Sequence, residues 1–157
     1  MGQITFQKEA FNAVIDEAMP MLLSHWREIA SYQDIPLAVD RDGYQALDDA
    51  GKLLIFTARL DGVLIAYAAF IVGLNAHYST SGLQAKQDVI YLSPDHRGGR
   101  IGLTFIKNCD AALADAGVQV VYQHEKVAHP ALGRVLEHLG YENVERIWAK
   151  RLDQGKG

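Results

Sequence analysis

Apolar positions along the chain change period several times, and each change marks an element. Ile4 to Phe6 read as a short strand, after which Ala10, Val14 and Ala18 recur at helical spacing. Pro20 then separates a second helix, with Leu22, Trp26, Ile29 and Ala30 on its apolar stripe and His25, Glu28 and Tyr32 on the adjoining polar face. A short amphipathic piece from Tyr44 to Ala50 closes at Gly51, a residue suited to a left-handed helix end. Residues 52–60 and 63–72 are rich in branched and aromatic side chains and flank Asp61-Gly62, a two-residue hairpin signal. Residues 73–82 read as a loop, and residues 84–92 resume an extended pattern. Ile101, Phe105, Cys109, Ala112, Leu113 and Ala116 return to helical spacing until Gly117, and residues 118–122 follow as a buried strand. Pro130 suits the first turn of a helix striped by Leu132, Val135, Leu136 and Leu139 and ended by Gly140; residues 144–152 read as a last strand. The order predicts an α/β (α+β) fold with a mixed sheet flanked by helices.

Composition narrows the picture. At 157 residues, 49% hydrophobic and 22% charged, the sequence predicts one domain over residues 1–152 and a loose tail over 153–157. No apolar run approaches a bilayer-spanning length and no export signal opens the chain, so a soluble, unexported protein is expected. Cys109 is the only cysteine, which excludes an internal disulfide and a cysteine-rich zinc site and fits a reducing cytoplasm. A net charge of −4 argues against a general nucleic-acid binder and modestly favours small or cationic acceptors.

The candidate chemistry centres on Tyr91-Leu-Ser-Pro-Asp-His-Arg-Gly-Gly-Arg-Ile-Gly102, an extended stretch turning through glycines into a helix. Free amides and the dipole at a helix start attract anions, Arg97 and Arg100 add charge, and Gly98, Gly99 and Gly102 admit close backbone approach. The plainer reading is a tight strand-to-helix connection. A nucleotide-phosphate binder of another type is a third reading, weakened because the Walker lysine and serine are missing after these glycines.

Strand, Arg-x-x-x-x-Gly, helix, strand, then a helix ending in Leu139-Gly140-Tyr141 is similar to the GCN5-related N-acetyltransferase family over nearly the whole chain. The family's pyrophosphate signature, Gln/Arg-x-x-Gly-x-Gly/Ala, aligns with Arg97-Gly-Gly-Arg-Ile-Gly102, with Arg100 standing in a glycine position. The resemblance implies a mostly antiparallel sheet splayed at the strand ending in Leu92, and acetyl-CoA as cofactor. Leu92 and Ser93 would meet the acetyl and pantetheine groups, while Arg97, Gly98, Gly99, Arg100, Ile101, Gly102 and Leu103 would hold the pyrophosphate. It also implies a tyrosine that protonates the departing thiolate, at the position occupied here by Leu136; Tyr122, His124, His129 and His138 are the candidate substitutes. The pieces His25-Trp-Arg-Glu28, Asp40-x-x-x-Tyr44 and His77-Tyr78 further resemble small acetyltransferase-like proteins of phages and prophages.

Acetyl transfer to an amine requires removal of a proton, since a lysine-like amine has a pKa near 10.4. Asp88, four residues before Leu92, is expected on the same strand face as Leu92 and is the first base candidate; a solvated residue or a partner of Lys86 is the plainer reading. His25, Glu28 and Tyr32, with His77 and Tyr78, are the candidates for acceptor binding, against the plainer reading of a polar outer face and a solvated loop. Asp40, Asp42 and Tyr44 stand in an acidic turn. No compact metal-ligand spacing is present, and Cys109 reads as a core residue. The expected activity is N-acetylation of a primary amine in a ternary complex, with a homodimer possible. A CoA-binding regulatory module that has lost catalysis is the alternative, motivated by Arg100 and Leu136.

Overall fold

The computed structural model describes residues 2–78, 80 and 82–154. β1 (Ile4–Glu9) leads into α1 (Phe11–Ile29) and α2 (Arg41–Asp49), and then β2 (Leu53–Leu60), β3 (Val63–Leu74) and β4 (Leu83–Leu92) form a meander. A 3-10 turn (Pro94–His96), α3 (Ile101–Asp115), β5 (Val118–Tyr122) and α4 (Ala131–His138) complete the element order. The strands lie in the order β1-β2-β3-β4-β5, with three antiparallel pairs and one parallel pair, β4 with β5. This is the expected mixed, mostly antiparallel sheet flanked by helices.

The hairpin is local chemistry. Asp61 (φ 49°) and Gly62 (φ 85°) both take positive φ, the backbone of a two-residue turn whose twist matches its strands. β2 and β3 are nearly continuous apolar runs because both sheet faces are covered. On one face α3 lays Phe105, Cys109 and Leu113 over Phe56, Ala68, Phe70 and Ala85. On the other, α1 lays Phe11, Val14, Ile15 and Ala18 over Leu53, Ile55, Leu64 and Ala69. Cys109 is a core residue, as expected, and burial pushes its thiol well above the usual range.

Five sequence expectations are revised. Pro20 does not divide the N-terminal helical region: α1 is one helix with Pro20 inside it. Its buried stripe of Phe11, Val14, Ile15, Ala18 and His25 keeps i+3/i+4 spacing across the proline, so tertiary packing outweighs the one lost backbone bond. The same stripe buries His25, not Trp26. α2 begins at Arg41, where the Asp40 side chain caps the Gly43 amide at 2.9 Å. β5 is half-exposed at the sheet edge instead of buried, and residues 144–152 form no strand. Among the described residues no helix is long and apolar enough to cross a membrane.

Candidate active site

β4 and β5 part company midway. Their parallel register runs from Leu83 opposite Val118 to Lys86 opposite Tyr122 and then stops, so the β5-side edge of residues 87–92 has no strand partner. At the parting point the His124 amide donates to the Gln87 side-chain carbonyl at 2.7 Å. The next residue, Asp88, is the extra residue of a β-bulge, since Gln87 pairs with Phe70 and Val89 with Ala69. The bulge reverses the alternation on which the expected shared face of Asp88 and Leu92 rested. Leu92 packs on the α3 side, whereas the Asp88 carboxylate accepts a 2.5 Å hydrogen bond from the Tyr44 hydroxyl on the α1–α2 side. Burial and then the bond to Asp88 push the Tyr44 phenol well above its usual range, so it stays a donor.

Beyond Leu92 the chain turns through Pro94–His96 and Gly98, whose φ of +85° favours glycine, into α3. The first α3 bond runs from the Thr104 amide to the Arg100 carbonyl. Among the described residues the amides of residues 98–103 meet no acceptor. A Cβ at Gly98 or Gly99 would touch nothing within 4 Å, so the outer face of the turn is open; at Gly102 it would lie 3.5 Å from Leu92 Cδ2, ordinary contact. Arg100, at the helix N-cap, makes no ion pair among the described residues. Unpaired amides, an uncovered turn and an unengaged cation fit a diphosphate. Ser93 is committed otherwise, its amide bonding the Ile65 carbonyl at 2.8 Å.

Arg97 does not point toward that anion seat. Its Nε donates to the Leu92 carbonyl at 2.8 Å, its two terminal nitrogens grip Glu28 of α1 at 2.5 and 3.1 Å, and its Cζ lies 5.0 Å from the Tyr91 ring centroid. Tyr91 also donates to Glu28 at 2.8 Å. Behind this group His25 stacks on Tyr91 with ring centroids 4.5 Å apart, and its Nδ1 lies 2.8 Å from the Tyr67 hydroxyl. His25 and Glu28 thus converge as the helical spacing implied, but His25 is buried in the protein and only Glu28 reaches the rim. Tyr67 and Tyr91 were not among the sequence candidates. Their signal was a phenol within each of two strands of mostly apolar residues.

Burial holds the His25 pKa down to about 4; the neighbouring Glu28 opposes this, and Arg97 and Lys126 reinforce it. His25 is therefore neutral at pH 7. Because the folded pKa lies below the unfolded value of 6.5, the unfolded state binds the proton more readily. Stability is complete above pH 6.5 and is expected to fall by about 3 kcal/mol as pH drops to about 4. Urea unfolding across that window checks it: His25→Phe should flatten the slope, and Arg97→Ala, which raises the folded His25 pKa toward the unfolded value, should make the loss smaller.

A model of the acetyltransferase (GNAT) family matches residues 12–141. The chain belongs to the GNAT acetyltransferase family. Acetyl-CoA is the cofactor of that family. Among curated protein sequences none matches. Among solved structures, a ribosomal-protein-alanine N-acetyltransferase from Brucella melitensis biovar Abortus 2308 superposes with a TM-score of 0.72 at 16% identity, over 96% of this chain and 99% of that one. A predicted acetyltransferase from Clostridium acetobutylicum with acetyl-CoA gives a TM-score of 0.68 at 12% identity, over 96% and 97% of the two chains. An aminoglycoside N-acetyltransferase in complex with CoA gives 0.70 at 16% identity, over 98% and 97%. At these identities the likeness is one of fold.

The remaining candidates scatter within the GNAT frame. Tyr122 faces Lys86 at the end of the β4–β5 ladder, beside His124, so these two flank the parting point with Asp88. His129 sits in the turn before α4, where its own amide bonds the Lys126 carbonyl. Leu136, at the family's tyrosine position, is buried and offers no proton. Tyr32 lies beyond the end of α1, off the helical face with His25 and Glu28, and its ring meets Arg151 Cζ at 5.5 Å. His77 and Tyr78 belong to the loop between β3 and β4, at the opposite end of β4 from the glycine turn, roughly 30 Å away at strand rise. Within the described residues no group of three or more His, Cys, Asp or Glu side chains is placed to hold a metal.

Proposed function

We propose that the protein transfers the acetyl group of acetyl-CoA to a primary amine of an acceptor by direct attack in a ternary complex. One observation carries the reading: the unpaired edge of residues 87–92 runs straight into the open amide row of residues 98–103. An extended arm can add along the first by backbone hydrogen bonds, and a diphosphate can seat on the second. Two of the fold neighbours are named as N-acetyltransferases, which supports an amine acceptor.

When bound, acetyl-CoA supplies a thioester carbonyl poised for attack. The chain's own work is then positioning and proton movement. The backbone of residues 87–92 orients the arm, and the amides of residues 98–103, with Arg100, fix the phosphates. The acceptor enters from the α1–α2 side, where Asp88 with Tyr44 and Glu28 with Tyr91 present carboxylates held by phenols, a lining suited to a cationic amine. Asp88 takes the amine proton, directly or through water. Tyr122 and His124, beside the point where β4 and β5 part, are the proposed donors of a proton to the departing thiolate.

Thermal stabilisation by acetyl-CoA or CoA, without stabilisation by ATP or NAD, is the expected result; no shift with any CoA species would overturn the reading. Thiol release across a panel of amines and peptides then separates an enzyme from a binding module and identifies the acceptor class.

Within the anion seat, Arg100→Ala is expected to weaken acetyl-CoA binding by about 1 kcal/mol, roughly fivefold, and more than Arg97→Ala does, because Arg97 is spent on Glu28 and Leu92. Calorimetric titration of both variants decides the order. The two turn glycines should also separate. Gly98→Ala, forced into positive φ, costs about 1 kcal/mol of stability. Gly99→Val leaves denaturant stability within about 0.5 kcal/mol but blocks close approach of the phosphates.

A further inference from the structure

On the α1–α2 side of the sheet an apolar cavity of about 60 Å³ lies between α1 and strands β2 to β4. Its floor is built from small side chains, Ala18 of α1 and Ala69 of β3, both buried. Leu22, Tyr44 and Val89 are its least buried lining residues, so the cavity opens between them. That mouth adjoins Asp88. Val89 follows it directly, and the Tyr44 ring in the cavity wall carries the hydroxyl that bonds the Asp88 carboxylate at 2.5 Å. Among the described residues Asp88 makes no ion pair.

The wall offers nothing to a polar group. Its exposed surface is wholly apolar, and the two phenols in it are committed, Tyr44 to Asp88 and Tyr67 to His25 Nδ1 at 2.8 Å. A hydroxyl entering here would leave water and find no partner. An anionic carboxylate at the mouth of a dry cavity matches a molecule with an ammonium at one end and a hydrocarbon at the other.

We propose, resting on acetyl transfer at Asp88 as read above, that this cavity takes the aliphatic group of the acceptor, which is a compact alkylamine of about three or four carbons. Size sets that limit: a cavity of roughly 150 Å³ takes a benzene ring, so about 60 Å³ takes two or three carbons beyond the one that bears nitrogen. The neutral amine nitrogen bonds the acetyl carbon as the C–S bond breaks, and Asp88 receives the proton that the nitrogen gives up. The sulfur leaves with the electron pair as the CoA thiolate and is protonated by Tyr122, His124 or water.

The test is kcat/KM by thiol release across methylamine, ethylamine, propylamine, butylamine and pentylamine. The expected result is a rise of about fourfold per carbon as far as butylamine and none beyond it. 3-Aminopropan-1-ol, the shape of butylamine with a terminal hydroxyl, should fall at least about tenfold below it. Ala69→Val narrows the floor and should flatten the series beyond ethylamine; should that variant not fold, Leu22→Ala widens the mouth and should move the optimum to longer amines. Turnover with a flat series, an equally good amino alcohol, or turnover confined to peptides would overturn the cavity's role while leaving acetyl transfer standing. Thiol release from no amine at all would count against the transfer reading itself, and binding then decides the cavity alone. Butylamine titrated into methyl-labelled protein loaded with acetyl-CoA should shift the Ala18, Leu22 and Val89 methyl resonances saturably, and resonances that do not move would overturn the proposal.

Discussion

Replacing Arg59 by alanine is expected to cost about 3–5 kcal/mol of folding stability, the usual result of leaving a largely buried carboxylate without its partner. Arg59 sits on β2 beside the hairpin, and its guanidinium bonds both oxygens of Glu9 at 3.0 Å, both oxygens of Glu17 at 2.9 and 2.8 Å, and the Gly62 carbonyl at 2.9 Å. It therefore joins β1, α1 and the hairpin turn at one point. Only 13% of each of the Arg59 and Glu9 side chains is exposed, so water cannot take over the contact. Burial raises the Glu9 pKa, but hydrogen bonds from Arg59, Thr57 and Gln7 together outweigh it, and the carboxyl ends below its usual value. The bonds of Arg59 likewise depress Glu17. Carboxylates with depressed folded pKa values contribute stability above about pH 4.5 and lose it as pH falls through those folded values. Urea titration at pH 7 measures the Arg59→Ala loss; a change below about 1 kcal/mol would mean that solvent screens the network after all. In the variant, Glu9 keeps its burial and loses its cation, so acid unfolding should begin at higher pH. Adding Glu9→Gln should recover part of the loss by removing the orphaned charge.

What the sequence made legible follows the range of the forces involved. Asp61-Gly62 specifies its hairpin within four residues, and the glycine turn specifies a strand, a turn and a helix start within twelve. Both are visible because the backbone conformation and its cause are neighbours. Pro20 misleads for the opposite reason. A proline lowers local helix propensity, but the stripe from Phe11 to His25 meets the sheet on both sides of it, and that contact lies far away in sequence. The bulge at Asp88 leaves no mark on an alternating pattern, because it is a relation between β4 and β3. Arg97 shows the limit most plainly. Read beside three glycines it belongs to a phosphate, whereas in the fold it is claimed by Glu28, 69 residues earlier. Residues 144–152 carry the branched and aromatic content of a strand without a partner strand, and composition cannot supply one.

Asp88→Asn is expected to lower kcat by about 100-fold or more, the ordinary cost of losing a general base, with stability nearly unchanged because the side chain is exposed. The argument is positional. The bulge thrusts this carboxylate from the start of the segment where β4 has lost β5 and still keeps β3, and it turns the side chain toward the α1–α2 side, the side proposed for the acceptor. Nearby groups are less available: Glu28 is held by Arg97 and Tyr91, and His25 is buried behind Tyr91 with its Nδ1 against the Tyr67 hydroxyl. Asparagine preserves shape and can still accept the Tyr44 hydroxyl, so the substitution removes basicity and little else. Tyr44→Phe removes the tether instead, and a smaller loss is expected, since the carboxylate survives but samples more orientations. Both are measured by thiol release with whichever amine the panel identifies, alongside calorimetric acetyl-CoA affinity, which should stay within about twofold in each variant. An Asp88→Asn protein that turns over at the wild-type rate would move proton removal from Asp88 to water or to His25. If Asp88→Asn loses acetyl-CoA affinity as steeply as rate, the carboxylate shapes the cofactor slot and the base lies elsewhere.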